Sequence, residues 1–136
     1  WLLLLEAGCL GVFLALDLFV FFVAFEIVLV PMYFLISGWG YAERRYAAMK
    51  FFLYTMFGSA FMLVGLISTA VLHGRATGEI TFNLITIAND QGAIATTSAR
   101  WLFLAFAIAF AIKVQIFPFH TWLPDAHTQA PTAGSV

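Results

Sequence analysis

The sequence predicts an all-α fold, a polytopic bundle of transmembrane helices. Of its 136 residues, 63% are hydrophobic and 10% are charged, with a mean hydropathy of +0.99. A soluble domain carries about 25% charged residues, so a water-soluble fold of this size would have to expose much of its apolar surface. Helices are favoured because open sheets leave backbone groups unpaired in lipid. The apolar runs also lack the alternation of membrane-barrel strands.

Four apolar runs are the candidate transmembrane segments, given that a helix needs about 20 residues to cross the hydrocarbon layer. The first run starts within an apolar stretch, and both chain ends look like cuts through a longer protein. We therefore expect one partial membrane domain over residues 1–136, with the lipid bilayer as its surroundings. The predicted helices cover about 1–16, 18–37, 46–72 and 99–117, and the last is interrupted at Pro118 and followed by a broken-helix segment over 118–136.

The one extended polar connection lies between His73 and Ser98. Within it, Asn83 is placed to cap a short helix, although residues 80–87 also suit a strand. His73 stands at the edge of this loop, where we expect it to be solvated. Basic residues cluster near the Gly38–Arg45 loop, which favours the cytoplasmic side for that loop.

Nucleic acid and metal are not expected partners of this chain. The formal net charge is −1 and no basic run is present that would neutralise phosphates. The spacing of His120, Asp125 and His127 fits no zinc motif, and the single Cys9 forms neither an internal disulfide nor an iron–sulfur cluster. We therefore expect no metal site and no redox cofactor in this chain.

Two ionisable side chains stand at positions that a bilayer disfavours. Glu26 lies near the middle of the second run, and Lys113 lies deep in the fourth. An ionisable group at a helix centre costs about 2.5–3.5 kcal/mol on insertion scales, so such residues commonly mark ion pathways. The alternatives are a protonated, hydrogen-bonded carboxyl for Glu26 and a lysine that extends to the interface for Lys113.

Each of these two charges stands five residues before a proline, Glu26 before Pro31 and Lys113 before Pro118. A proline within a helix leaves a carbonyl four residues earlier without its hydrogen bond. Transporters use such weakened helices to hold ions and water at membrane depth. The spacing predicts helix breaks at Pro31 and Pro118.

Three further side chains have open interpretations. Lys50 lies one or two turns into the third run, so it either pairs with Glu26 or extends to the interface beside the neighbouring arginines. Their nominal depths differ by about 8–10 Å at 1.5 Å per residue. His120 and His127 follow Pro118 and titrate near neutral pH, so they either pass protons or satisfy backbone groups of the broken helix.

The segment after the predicted break carries a family resemblance. Its sequence, Phe-Pro-Phe-His-Thr-Trp-Leu-Pro-Asp-Ala-His-Thr-Gln-Ala-Pro-Thr-Ala-Gly-Ser-Val over 117–136, closely resembles the signature of one class of membrane subunit. This class is the NuoM-type, or chain 4, antiporter-like subunit of proton-translocating NADH:quinone oxidoreductase, respiratory complex I. The blocks Phe25–Ile36 and Lys50–Thr55 resemble neighbouring blocks of the same family, so the resemblance covers essentially the whole chain.

The resemblance implies that the four runs are consecutive helices of a larger antiporter-like subunit, the last of them discontinuous. It implies proton-translocation roles for Glu26, Lys50, Lys113 and His120, and it favours the Glu26–Lys50 pair. It also implies that other complex I membrane subunits are partners, and that flavin, iron–sulfur clusters and quinone lie in partner subunits. The implied location is the bacterial plasma (inner) membrane, as a multi-pass integral protein.

Other functional classes remain as alternatives. An Mrp-type cation/proton antiporter and a membrane-bound hydrogenase subunit are close variants of the same fold. A purely structural membrane scaffold is a different class, in which the buried charges only lock helix packing. A standalone membrane enzyme lacks support, because no nucleophile or metal constellation is visible in the sequence.

Overall fold

The computed structural model describes residues 1–135, and it is a bundle of α-helices. Within that range, extended pairing is limited to a single bridge between Asp17 and Asn83. The helices are α1 Leu2–Leu14, α2 Leu18–Trp39, α3 Arg44–Thr77, α4 Leu84–Asn89, α5 Thr96–Lys113, α6 Trp122–Gln129 and α7 Thr132–Ser135. Of these, α2, α3 and α5 are long and apolar enough to cross a membrane, and α1 is apolar but shorter. The predicted all-α membrane fold is confirmed.

Helix α3 is the centre of the bundle. It packs against α2, α5 and α6, while α1 packs against α2. Small residues on α3 allow α5 to approach closely: a Cβ at Gly58 would lie 3.3 Å from Ile112, and one at Gly65 would lie 3.3 Å from Phe106. Helices α3 and α5 therefore pack with little space between them, and α6 covers the first half of α3.

The third helix is longer than predicted at both ends. Its 34 residues span about 51 Å at 1.5 Å per residue, which exceeds the roughly 30 Å of a hydrocarbon core. The predicted segment ended where the sequence becomes polar. In the structure, the helical hydrogen bonds continue through these polar residues. The helix ends at Gly78, whose φ of 86° lies in the left-handed region. The last turns of α3 therefore project beyond the membrane.

The predicted helix break at Pro31 is wrong. Helix α2 continues through Pro31 to Trp39, and Pro31 is fully buried. A proline removes one hydrogen bond of the helix, but the bonds on either side remain, and membrane helices tolerate such a loss. The helix therefore tolerates the absence of an N–H group at Pro31, and the proline ring packs inside the bundle.

The break in the fourth predicted segment is real, but it falls earlier than Pro118. Helix α5 ends at Lys113, and the predicted extension to Phe117 is wrong. The N–H of Ile116 donates to the carbonyl of Ala111 at 2.9 Å, and Gln115 has a φ of 59°. A side chain in this left-handed region is strained, and the residue before a proline is disfavoured as helix. The chain therefore leaves the helix immediately after Lys113.

The polar connection contains the predicted short helix. The side chain of Asn83 accepts hydrogen bonds from the N–H groups of Ile85 and Thr86 at 3.0 and 3.1 Å, so α4 begins at a capped end. Backbone bonds then attach the loop to the α1–α2 turn. The N–H of Leu18 donates to Phe82 at 2.8 Å, and Leu84 donates to Leu16 at 2.9 Å.

The expectation that His73 is solvated is wrong. Its side chain is 2% exposed, and its Nε2 lies 2.7 Å from Oδ2 of Asp90. The reason is the extra length of α3, which carries His73 beneath the folded-back loop. A polar cavity of about 220 Å³ adjoins the pair, lined also by Thr77, Glu79, Thr81 and Thr86. The loop is thus held at two points, by the α1–α2 turn and by His73.

Replacing Asp90 with alanine is expected to loosen the loop. The bond between His73 and Asp90 should contribute about 1 kcal/mol, because Asp90 is partly exposed to solvent. Backbone amides of residues 78–95 should then exchange hydrogen roughly fivefold faster. Hydrogen–deuterium exchange followed by mass spectrometry measures this, with Glu79→Ala as the control from the same cavity. Equal protection from hydrogen exchange in Asp90→Ala and Glu79→Ala would contradict a role of the His73–Asp90 bond in holding the loop.

A buried ionisable site at the helix break

Glu26 presents a carboxyl to the interior of the bundle. Its Oε1 is buried and has no hydrogen-bond partner among the residues described. The surrounding helix α2 is apolar throughout most of its length, because the bilayer requires it. A buried polar oxygen left unpaired costs about 1–3 kcal/mol, so a hydrogen bond from water to this oxygen would be favourable.

Lys113 is the last residue of α5, directly before the break. Its Nζ lies 4.7 Å from the centre of the Phe25 ring and 6.0 Å from that of Phe51. An ammonium over an aromatic face gains cation–π attraction, which increases when water is excluded. Because Phe25 precedes Glu26 in α2, the amine reaches α2 at the level of the carboxyl.

Glu26 and Lys113 face the same region without a direct ion pair. Within residues 1–135, the pairs closer than 4.0 Å are Lys50 with Asp125 and His73 with Asp90. The nitrogen of Lys113 and the carboxyl oxygens of Glu26 are therefore more than 4.0 Å apart.

Two cavities meet at Lys113. One, of about 230 Å³, lies between α2 and α6 and is lined by Lys113, Gln115, Trp122 and His127 together with apolar side chains. The other, of about 170 Å³, is formed by side chains of α1 and α2, and it also reaches Lys113. A water molecule occupies about 30 Å³ in the liquid, so the first cavity has room for several. Lys113 is the charged residue common to both.

Side chains satisfy the carbonyls that the broken helix leaves free. The indole Nε1 of Trp122 donates to the carbonyl of Ile112 at 3.0 Å in a buried position. The amide of Gln115 donates to the carbonyl of Lys113 at 2.9 Å. These bonds replace helical hydrogen bonds that α5 lost, so the break can persist inside the bundle.

Lys50 does not pair with Glu26, so the predicted Glu26–Lys50 pair is wrong. Its Nζ donates to Oδ2 of Asp125 at 2.6 Å, on α6. The physical reason is the position of α6, which folds back against the first half of α3 and offers a nearer carboxylate. Sequence reasoning missed Asp125 as a partner. The available signal was the spacing of Thr121, Asp125 and Gln129, which places three polar residues on one helical face.

The two histidines after the break have different surroundings. His120 is exposed, and its ring stacks on that of Phe117 with centroids 5.6 Å apart. His127 lines the cavity between α2 and α6, whereas His120 does not. A role for His120 in proton transfer stays a prediction. No group of three or more His, Cys, Asp or Glu side chains suited to a metal ion occurs in the part of the chain that the structure covers.

A family model matches residues 15–136, which is most of the chain. The model describes the transmembrane region of NADH:quinone oxidoreductase and Mrp antiporter subunits. The chain belongs to this family. The match includes Glu26, Lys50, Lys113 and the whole segment after the helix break, so the site described above lies within the family region.

Relatives in the NADH:quinone oxidoreductase/Mrp antiporter family match the chain at nearly half of all positions. The chain is 47% identical to NADH-quinone oxidoreductase subunit M of Pseudomonas aeruginosa, covering 99% of this chain and 27% of that protein. It is 46% identical to subunit M of Escherichia coli K12, covering 100% of this chain and 27% of that protein. The chain thus spans about a quarter of the length of these relatives.

Two solved structures contain the same fold. A chain of respiratory complex I from Thermus thermophilus with bound NADH superposes with a TM-score of 0.84 at 37% identity, covering 93% of this chain and 26% of that one. A chain of the archaeal membrane-bound sulfane sulfur reductase superposes with a TM-score of 0.83 at 31% identity, covering 98% of this chain and 26% of that one.

Proposed function

We propose that this chain translocates protons across a membrane as part of an antiporter-like subunit of NADH:quinone oxidoreductase. The observation that carries the proposal is the position of Lys113. Its amine lies at the end of a broken helix, adjoins two cavities, and lies over the ring of Phe25, the residue next to Glu26 in α2. The subunit M relatives, at 46–47% identity, support the assignment to this complex.

In this proposal, Lys113 accepts and releases a proton through water in the cavities. An opposite charge nearby favours the ammonium form of a lysine, and removal of water disfavours it. A change in the charge or position of the Glu26 carboxyl therefore changes the proton affinity of Lys113. A hundredfold change is about 2.7 kcal/mol, comparable with about 2.3 kcal/mol for moving one charge through 100 mV.

The energy for this transfer comes from redox chemistry outside the chain. Flavin, iron–sulfur clusters and quinone belong, in this proposal, to partner subunits, and other membrane subunits of complex I are direct partners. The bacterial relatives support placement in the plasma (inner) membrane. Helices α2, α3 and α5 carry many exposed large hydrophobic residues. In this proposal, these residues contact lipid or other membrane helices.

A second candidate is a subunit of a related complex, such as an Mrp-type cation/proton antiporter or a membrane-bound hydrogenase. The family description covers the antiporters, and the sulfane sulfur reductase structure shares this fold. Co-purification distinguishes them, because NADH:quinone oxidoreductase requires flavin and iron–sulfur partners. A purely structural scaffold is the third alternative, in which neutralising Glu26 would alter stability but not proton movement.

The test of the proposal is Glu26→Gln in the intact complex. Glutamine keeps the size of the side chain and removes the charge, so the field at Lys113 is lost. Proton pumping into membrane vesicles, followed with a pH-sensitive dye, should fall at least about tenfold, a loss equivalent to about 1.4 kcal/mol. Glu26→Asp keeps the charge and should retain more pumping. Glu79→Gln, in the exposed loop, is the control.

Full pumping by an assembled Glu26→Gln complex would overturn this account. Loss of assembly with Glu26→Gln, accompanied by normal pumping in the fraction that assembles, would favour the structural scaffold instead. Assembly is measured by native gel electrophoresis with an in-gel NADH oxidation stain.

A further inference from the structure

A row of polar side chains on α6 faces the first half of α3. Thr121, Asp125 and Gln129 recur at intervals of four residues, so they project from one side of the helix and its cap. Every one of them has a partner on or next to α3. The contacts are a 2.6 Å hydrogen bond between the hydroxyls of Thr121 and Tyr54, the 2.6 Å ion pair of Asp125 with Lys50, and a 3.0 Å bond from the N–H of Glu43 to Oε1 of Gln129.

The other side of α6 forms a wall of the Lys113 cavity. Trp122 and Ala126 are buried there, and Leu123 and His127 line the same space. Helix α6 has eight residues and is bounded by turns at both ends. The contacts of α6 with α3, polar along this row and apolar at Trp122 and Ala126, therefore fix where the cavity wall stands.

The ion pair is the strongest of the three contacts. Both partners of the Lys50–Asp125 pair carry charge, and charge-assisted hydrogen bonds are roughly twice as strong as neutral ones. The Thr121 and Gln129 contacts are neutral. Loss of either charge at the ion pair would therefore remove the strongest of the three side-chain contacts that join α6 to α3.

We propose that Asp125 is a positioning residue, whose ion pair with Lys50 holds α6 against α3 and so sets the width of the Lys113 cavity. Loss of this ion pair releases α6 and changes the access of water to Lys113. The effect on pumping rests on the proposed function, but the effect on α6 does not. Lys50 thereby takes its counterion from α6 and not from Glu26.

The experiment uses three variants of the intact complex. Two are the single variants Asp125→Asn and Lys50→Met. The third is a double variant that exchanges the two charges, Lys50→Asp together with Asp125→Lys. The first readout is hydrogen–deuterium exchange of the α6 amides. We expect both single variants to exchange roughly tenfold faster than the parent, and the swap to restore protection to within about threefold. Asp90→Asn, which replaces the carboxylate bonded to His73, is the matched control and should leave α6 unchanged.

The second readout is the number of protons pumped per NADH oxidised, measured in the same vesicles. We expect this ratio to fall about fivefold in the single variants and to recover in the swap. A merely structural role would lower pumping and NADH oxidation together and leave the ratio unchanged. If Asp125→Asn prevents assembly, Asp125→Glu replaces it in the experiment. This variant keeps the charge, so it should retain both the protection of the α6 amides and the number of protons pumped per NADH.

Unchanged α6 exchange in Asp125→Asn would overturn the proposal, as would a swap that restores neither readout. Faster α6 exchange with an unchanged pumping ratio would refute the link to the cavity. Failure of the proposed function is distinguishable, because then Glu26→Gln would pump normally whatever the state of α6.

Discussion

Replacement of Lys113 by methionine is expected to abolish proton pumping in a complex that still assembles. Methionine has a similar length and fills the same space, so the packing against Phe25 and Phe51 is largely kept. The amine that accepts the proton is lost. Pumping should fall at least about a hundredfold, the equivalent of about 2.7 kcal/mol. Dye-monitored acidification of vesicles, with NADH oxidation followed in parallel, measures the effect.

A second substitution at the same position separates proton transfer from fixed charge. Lys113→Arg keeps a cation, but a guanidinium does not release its proton in a protein. We therefore expect it to be as defective as the methionine variant. Arg100→Met, which removes an exposed cation near the start of the same helix, is the control and should pump normally. Normal pumping by Lys113→Arg would show that only the charge is needed.

Gly40→Ala is expected to cause the largest loss of stability in the bundle. Gly40 lies in the turn between α2 and α3, and a Cβ there would overlap the carbonyl oxygen of Ile36 and lie 2.5 Å from that of Gln129. Both obstacles are backbone atoms, which cannot rotate away as a flexible side chain would. We expect a cost of about 3 kcal/mol, at the upper end for overpacking.

The last turn of α2 provides a matched control for Gly40→Ala. A Cβ at Gly38 meets nothing within 4 Å, so Gly38→Ala should be tolerated. The yield of assembled complex and its thermal inactivation temperature measure the difference. Equal stability of the two variants would contradict the close packing of the α2–α3 turn against the end of α6, where Tyr41 also donates to Gln129.

Apolar length was enough to predict the spanning helices, because the bilayer imposes a simple requirement on helix length. The short helix after Asn83 was also predictable, since an asparagine cap is a local signal. The ends of α3 and α5 were not. Helix α3 continues through polar residues to Thr77, and α5 stops at Lys113 although the sequence stays largely apolar to Phe117. Backbone hydrogen bonding extends α3 past its apolar stretch, and α5 ends several residues before Pro118.

The candidate site was predictable in its residues but not in its partners. Glu26 and Lys113 stood out because charge is costly in hydrocarbon. The pairing of Lys50 was mispredicted, because it depends on how α6 returns to α3 after the break. The burial of His73 beneath its loop depends in the same way on a long-range contact, with Asp90. Residue spacing marks the polar side of α6, but it does not show which residue of another helix or loop that side contacts.

A high-resolution structure of the intact complex, with ordered water resolved, tests the central claim most directly. We expect water molecules in the two cavities, hydrogen-bonded to Nζ of Lys113 and continuing toward Oε1 of Glu26. Dry apolar packing between these two side chains, or their exposure to lipid, would contradict a proton path through this part of the membrane.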